Sequence, residues 1–109
     1  AQNREEAFSA VNPWRTIPVL ELDDGTRIGE SVAICRYFEE LHPEPALFGS
    51  DAREKALVEM WSRRVEFGLY DAVRAAFRHG HPGMAGYEVP QVPEWAAASR
   101  VRAIEQLRL

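Results

Sequence analysis

Asn12 to Tyr37 reads NPWRTIPVLELDDGTRIGESVAICRY, and the fold turns on this stretch. Val19–Leu22 and Thr26–Ile28 have the apolar, β-branched character of strands. The Asp24-Gly25 pair between them supplies the positive-φ residues of a tight hairpin turn. Two-residue alternation puts Leu20 and Leu22 on one face and Glu21 on the other. Ile17-Pro18 leads into the first strand. A proline there marks an edge strand, or a cis bond that turns the backbone N–H and C=O of Ile17 outward for an added strand. Both readings are open. Glu30-Ser31 opens the next helix, predicted over Glu30–Leu41. An acid and a hydroxyl there can cap the helix and complement its dipole. The same geometry can hold a ligand, with the Ser31 N–H and hydroxyl on a carboxylate and Glu30 on an ammonium.

The neighbouring segments extend this pattern. Glu5–Val11 reads as the end of a short helix with Phe8 and Val11 on one side, stopped by Asn12-Pro13. In the Glu30–Leu41 helix, Val32, Ala33, Cys35, Tyr37, Phe38 and Leu41 leave little polar circumference, so burial is expected. Cys35 would then be a structural thiol. Pro43–Ser50 reads as a linker. Asp51 followed by Glu54 is a capping box, opening a long helix through Leu57, Trp61, Val65, Leu69, Ala72, Val73 and Phe77 that reaches His79. Gly80 is its expected stop, giving a rod on the order of 40 Å at about 1.5 Å per residue. A last helix opens at Pro93 and carries Trp95, Ala98, Val101, Ile104 and Leu107. Trp14, Trp61 and Trp95 are expected to pack.

The architecture predicted is α/β plus all-α: an α-β-β-α unit over residues 1–44, then antiparallel helices over 45–109. The first unit is too small to bury its own faces, and its hairpin wants further strands. These are expected before Ala1. The lack of an initiator Met and the apolar-periodic end at Arg102–Leu109 likewise suggest a piece of a longer chain.

Bulk composition narrows the function classes. Across 109 residues, 46% are hydrophobic and 28% charged, ordinary for a globular domain, and the net charge of -4 argues against phosphate-neutralising nucleic-acid binding. Arg63-Arg64 sits among acids and reads as a solvated helix face. No apolar run reaches the roughly 20 residues a membrane span needs. A single cysteine permits no internal disulfide, pointing to a reducing compartment. His79-Gly80-His81 lacks a third ligand nearby, so a helix-end loop explains it better than a metal.

Several motifs together resemble the glutathione transferase family. They are Asn12-Pro13, Ile17-Pro18 before an apolar strand, Leu22-Asp23-Asp24-Gly25-Thr26, Glu30-Ser31 with Ala33-Ile34 following, Tyr37 and the Pro43–Pro45 linker. The long helix with Trp61 and the Pro-initiated helix after it follow in the family's order. The resemblance implies the C-terminal half of a thioredoxin-like domain, followed by the first two helices of the family's helical domain. It implies a cytosolic, bacterial-type enzyme that joins the thiol of glutathione to an electrophilic small molecule, or runs a related glutathione-dependent reaction. Glutathione would be the co-substrate, without a metal. Ile17 would pair its backbone with the cysteinyl unit beside Pro18, and Glu30 and Ser31 would hold the γ-glutamyl end. Where the family often has Gly-Lys, this chain has Arg15-Thr16, so Arg15 is the candidate for the glycyl carboxylate. Tyr70 and Arg74 are candidates for the second substrate, and Arg63 for a reach across a homodimer interface. The family's thiol-activating residue would lie N-terminal to Ala1, leaving the catalytic group unidentified. A second reading is a non-catalytic binding or interaction module of the same fold, like the domains attached to some translation and stress proteins.

Overall fold

The computed structural model describes residues 5–109. The chain divides into two compact units between Ser50 and Asp51.

In the first unit, helix α1 (Glu6–Val11) ends where the Asn12 N–H donates to the Phe8 carbonyl. Strands β1 (Val19–Glu21) and β2 (Arg27–Gly29) pair antiparallel, with Val19 opposite Gly29, Leu20 opposite Ile28 and Glu21 opposite Arg27. The turn differs from expectation in one respect: of the Asp24-Gly25 pair, Asp24 does not take a positive φ. The Leu22 N–H bonds the Thr26 carbonyl at 2.9 Å, so three residues, Asp23 to Gly25, form the loop. Only Gly25 takes a positive φ, of 84°. The Gly25 N–H closes a turn on the Leu22 carbonyl, and Asp24 accepts the Thr26 N–H at 2.8 Å. A turn followed by a left-handed glycine is the usual three-residue hairpin solution. Asp24 thus serves through its carboxylate, whose pKa is lowered chiefly by the Thr26 N–H bond.

Helix α2 (Ser31–Leu41) packs on β1 and β2. The deep burial expected for it is not found. Ile34 and Tyr37, one turn apart, are half-buried, whereas Val32, Phe38, Leu41 and Cys35 are exposed. Two short strands cover a narrow stripe of the helix, and the rest of its apolar circumference projects away from them. Cys35 is therefore an exposed thiol rather than a buried structural one. Beyond α2 the chain folds back on it. The Glu39 carboxylate accepts the Phe48 N–H at 2.9 and 3.0 Å, and the Arg36 guanidinium lies 4.7 Å from the Phe48 ring centre.

The second unit opens with α3 (Ala52–Arg64), where Asp51 accepts the Glu54 N–H at 2.8 Å. A π-helical segment, Val65–Tyr70, joins it without a break to α4 (Asp71–Gly80). Helix α5 (Pro93–Gln106) then packs against α4. Gly80 is the last residue of α4, so the helix stops where expected, but without the left-handed φ of a glycine cap. Its role is proximity: a Cβ there would lie 3.3 Å from the Ala96 Cβ. At the other end, a Cβ on Gly68 would lie 2.6 Å from Gln106 Oε1.

The face of α5 that is buried is also not the one expected. Ala96, Ser99 and Ala103 are buried against α4, where Ala72 is 1% exposed, while Trp95, Val101, Ile104 and Leu107 are exposed. Small side chains let two helices approach closely, so the seam follows alanine and glycine rather than bulk. The tryptophans do not fill a core either. Trp14 is 85% exposed, and Trp61 and Trp95 lie beneath the guanidinium groups of Arg64 and Arg102.

Candidate functional site

The site begins with a loop that one side chain organises. Asn12 is buried, and its Nδ2 donates to the Thr16 carbonyl at 2.9 Å and the Thr16 hydroxyl at 3.1 Å. Its Oδ1 accepts the Trp14 N–H at 3.1 Å. An asparagine amide imitates a backbone turn in this way, and it holds the loop 12–16 closed just before Ile17. The sequence shows Asn12-Pro13 as a helix stop but not this second task. Its signal is the Asn-Pro pair itself, since an amide beside a proline is well placed to complete a turn.

The loop delivers Ile17-Pro18, whose peptide bond is cis, with the Ile17 side chain 70% exposed. Because Val19 pairs with Gly29, the two strands leave the hairpin side by side at this end. Ile17-Pro18 enters one strand where Glu30-Ser31 departs from the other. A cleft of about 410 Å³ lies here, lined by Asn12, Trp14, Thr16, Val19, Arg27 and Glu30 among others. Arg27 reaches Glu21 at 2.7 Å and the Ala10 carbonyl at 2.8 Å, tying the hairpin to α1.

Glu30 has the most unusual backbone of these residues, with φ 64° and ψ 117°. A non-glycine residue there is strained by about 1–3 kcal/mol and persists only where the surroundings impose it. Its carbonyl accepts the Ile34 N–H at 3.0 Å, starting the helix. Its side chain makes no capping hydrogen bond, so capping does not account for the acid at this position. Ser31 follows as the first residue of α2 and is exposed. A carboxylate in a cleft, beside a helix N-terminus carrying a hydroxyl, can receive an ammonium and a carboxylate of one ligand.

Arg15 is turned elsewhere. Its φ is 57°, its N–H bonds the Asn12 carbonyl, and its Nε donates to Ser9 Oγ at 2.9 Å on α1.

In the helical unit, Arg63 lies along its own helix, 3.1 Å from Glu59 and 2.7 Å from Glu66. Tyr70 is exposed at the end of the π segment. Arg74 pairs with Asp71 at 3.2 Å and lines a cavity of about 460 Å³, whose wall does not include Tyr70. The two histidines of the His-Gly-His run have structural partners. His79 Nδ1 accepts the Val92 N–H at 3.2 Å, and His81 Nδ1 accepts the Gly83 N–H at 3.0 Å. Among the described residues no helix is long and apolar enough to cross a membrane.

Comparison with known proteins adds to this geometry. The family description "Glutathione S-transferase, N-terminal domain" matches residues 1–41. Glutathione S-transferase 2 of Saccharomyces cerevisiae is 38% identical over 94% of this chain and 45% of its own length. A probable elongation factor 1-gamma 1 of Arabidopsis thaliana is 33% identical over 96% of this chain and 25% of its own. The crystal structure of a glutathione S-transferase domain-containing protein from Marinobacter aquaeolei superposes with a TM-score of 0.88 at 37% identity. It covers 99% of this chain and 53% of that one. The chain thus spans about half the length of the transferase relatives it matches. Its hairpin and helices match the thioredoxin-like and helical parts of that structure, and it belongs to the glutathione S-transferase family.

Proposed function

We propose that the chain forms the glutathione-holding part of a transferase that joins the glutathione thiol to an electrophilic small molecule, or runs a related glutathione-dependent reaction. In this reading Glu30 receives the α-ammonium of the γ-glutamyl unit. The N–H and hydroxyl of Ser31, at the start of α2, receive its α-carboxylate. The backbone of Ile17, beside Pro18, pairs with the cysteinyl unit as an added strand. The observation that carries the reading is Glu30 itself: a strained backbone and a carboxylate that does not cap its helix, set in a cleft beside the Ile17-Pro18 step. Holding the thiol beside its target converts an encounter of two molecules into an effectively unimolecular step. We assign no residue of these 109 to thiol activation.

Arg15 engages Ser9, so a role on the glycyl carboxylate requires it to leave that partner. On the acceptor side we retain Tyr70 and Arg74, of which Arg74 lines a cavity. A homodimer in the cytoplasm is part of the same proposal. The likeness to an elongation-factor chain supports a second reading, a binding module of this fold without turnover.

The test is retention of the intact protein on immobilised glutathione, comparing wild type with Ser31→Ala and Glu30→Gln. Weaker retention of both variants is expected, and equal retention would remove Ser31 and Glu30 from the site. Conjugation of a model electrophile by the intact protein separates the enzyme from the module.

A further inference from the structure

The cavity on the helical unit has a charge pattern that glutathione binding leaves unused. Gly80 lies against Ala96 and Gly68 against Gln106, which fixes an antiparallel register for the long helix and α5. Arg74 falls midway between the two glycines, and Val101-Arg102 falls about midway between Ala96 and Gln106. Arg74 and Arg102 therefore stand nearly level, one on each helix, and both line the same cavity.

Arg78 lines it one turn beyond Arg74. Three guanidinium groups thus meet two carboxylates, in a chain whose net charge is -4. Asp71 holds Arg74 at 3.2 Å, and Glu88 holds Arg78 at 2.6 Å. Arg102 has an aromatic ring against it, its guanidinium 5.6 Å from the centre of Trp95. A ring contact favours the charge but leaves the guanidinium's donor fork available to an acceptor. The Glu88 carboxyl feels the positive field and is held below its ordinary range. The Arg78 hydrogen bond is the main cause, and the charges of Arg78, His79 and Arg74 add to it.

We propose that this cavity is a binding site for a small organic oxyanion, with the phosphate or carboxylate clamped between Arg74 and Arg102 and the apolar body against Trp95. A guanidinium pair suits both oxyanions because each presents coplanar or forked acceptors to the N–H donors. A volume of about 460 Å³ is within the range of ordinary small-molecule sites. Trp95 is half-exposed, so its ring is open to a second partner. The site extends the acceptor-side proposal for Arg74 and is independent of Glu30 and Ser31.

The test uses the intact protein with two probes, inorganic phosphate and phenyl phosphate, followed through the Arg102 Nε–H and Trp95 indole N–H resonances. Saturable shifts at both groups are expected, with phenyl phosphate the tighter probe. Arg102→Gln should weaken phenyl phosphate about tenfold, while Arg53→Gln, which removes a surface charge on α3, leaves it unchanged. Ser31→Ala should also bind normally, which separates this site from the glutathione reading. Absence of saturable shifts overturns the proposal. So does equal binding by Arg102→Gln and Arg53→Gln, the signature of diffuse surface charge. Equal affinity for the two probes overturns the organic ligand and its aromatic wall.

Discussion

Asn12 and Thr16 are locked together by one amide group, which donates from Nδ2 to both the carbonyl and the hydroxyl of Thr16 at 2.9 and 3.1 Å. The lock sits directly before Ile17-Pro18, so the position of that step depends on a side chain outside the proposed ligand contacts. Asn12→Ala should cost about 1–3 kcal/mol, because a backbone carbonyl and N–H lose their partner. Chemical denaturation measures that loss. Retention on glutathione should fall as well, and unchanged retention at reduced stability would show that the loop does not position the site.

Ser99 sits fully buried in the α4–α5 seam, and its hydroxyl has no hydrogen-bond partner among the described residues. An unsatisfied buried hydroxyl is unfavourable, so Ser99→Ala should raise stability by about 1 kcal/mol. A shift of the denaturation midpoint to higher urea checks this, and a destabilised variant would reveal a partner for the hydroxyl.

Ala72 is the counterpart in α4, 1% exposed. Ala72→Leu inserts three carbons at a position that is almost fully buried. It should cost about 1–3 kcal/mol, because the added volume forces the helices apart. Val73→Leu, one residue away on an exposed face, should change stability by less than about 0.5 kcal/mol. Comparable losses in the two variants would contradict a seam built on small residues.

Acid should weaken the helical unit through Glu88. Its pKa is below the ordinary value of 4.5, so the folded state binds this proton less readily than the unfolded chain. The stabilisation is complete above that ordinary value and disappears as pH falls through the lower folded one. As pH falls below about 4.5 the wild type should lose more stability than Glu88→Gln. Parallel pH curves for the two proteins would show that the Arg78–Glu88 pair contributes nothing.

Much of this was legible in the chain itself. Proline and glycine punctuation places α1, the hairpin, α2 and α5, because those residues restrict backbone angles locally. Glu30 and Ser31 are legible as a pair for the same reason, since a helix start has few acceptable residues. Burial is less legible. The apolar periodicity of Trp95, Val101 and Ile104 marks a hydrophobic stripe without saying which neighbour covers it, and the close contact went to Ala96, Ser99 and Ala103. Gly80 ends its helix as expected but misleads about its φ, because the sequence does not distinguish a glycine needed for its φ from one needed for its missing Cβ. The Arg74–Arg102 pairing is invisible for a different reason: 28 positions separate the two residues, and only the helix register brings them level.

The left-handed backbone at Glu30 sets heat resistance against the proposed ligand contact at a single codon. Glycine would adopt the same φ without strain, so Glu30→Gly should favour the folded state by about 1 kcal/mol after its own entropy cost. A laboratory selection for thermal survival alone would drift toward that substitution and discard the carboxylate. If Glu30 makes the contact proposed for it, a selection that also demands glutathione would hold the acid in place and look for its gains elsewhere, in the loop or along the α5 seam.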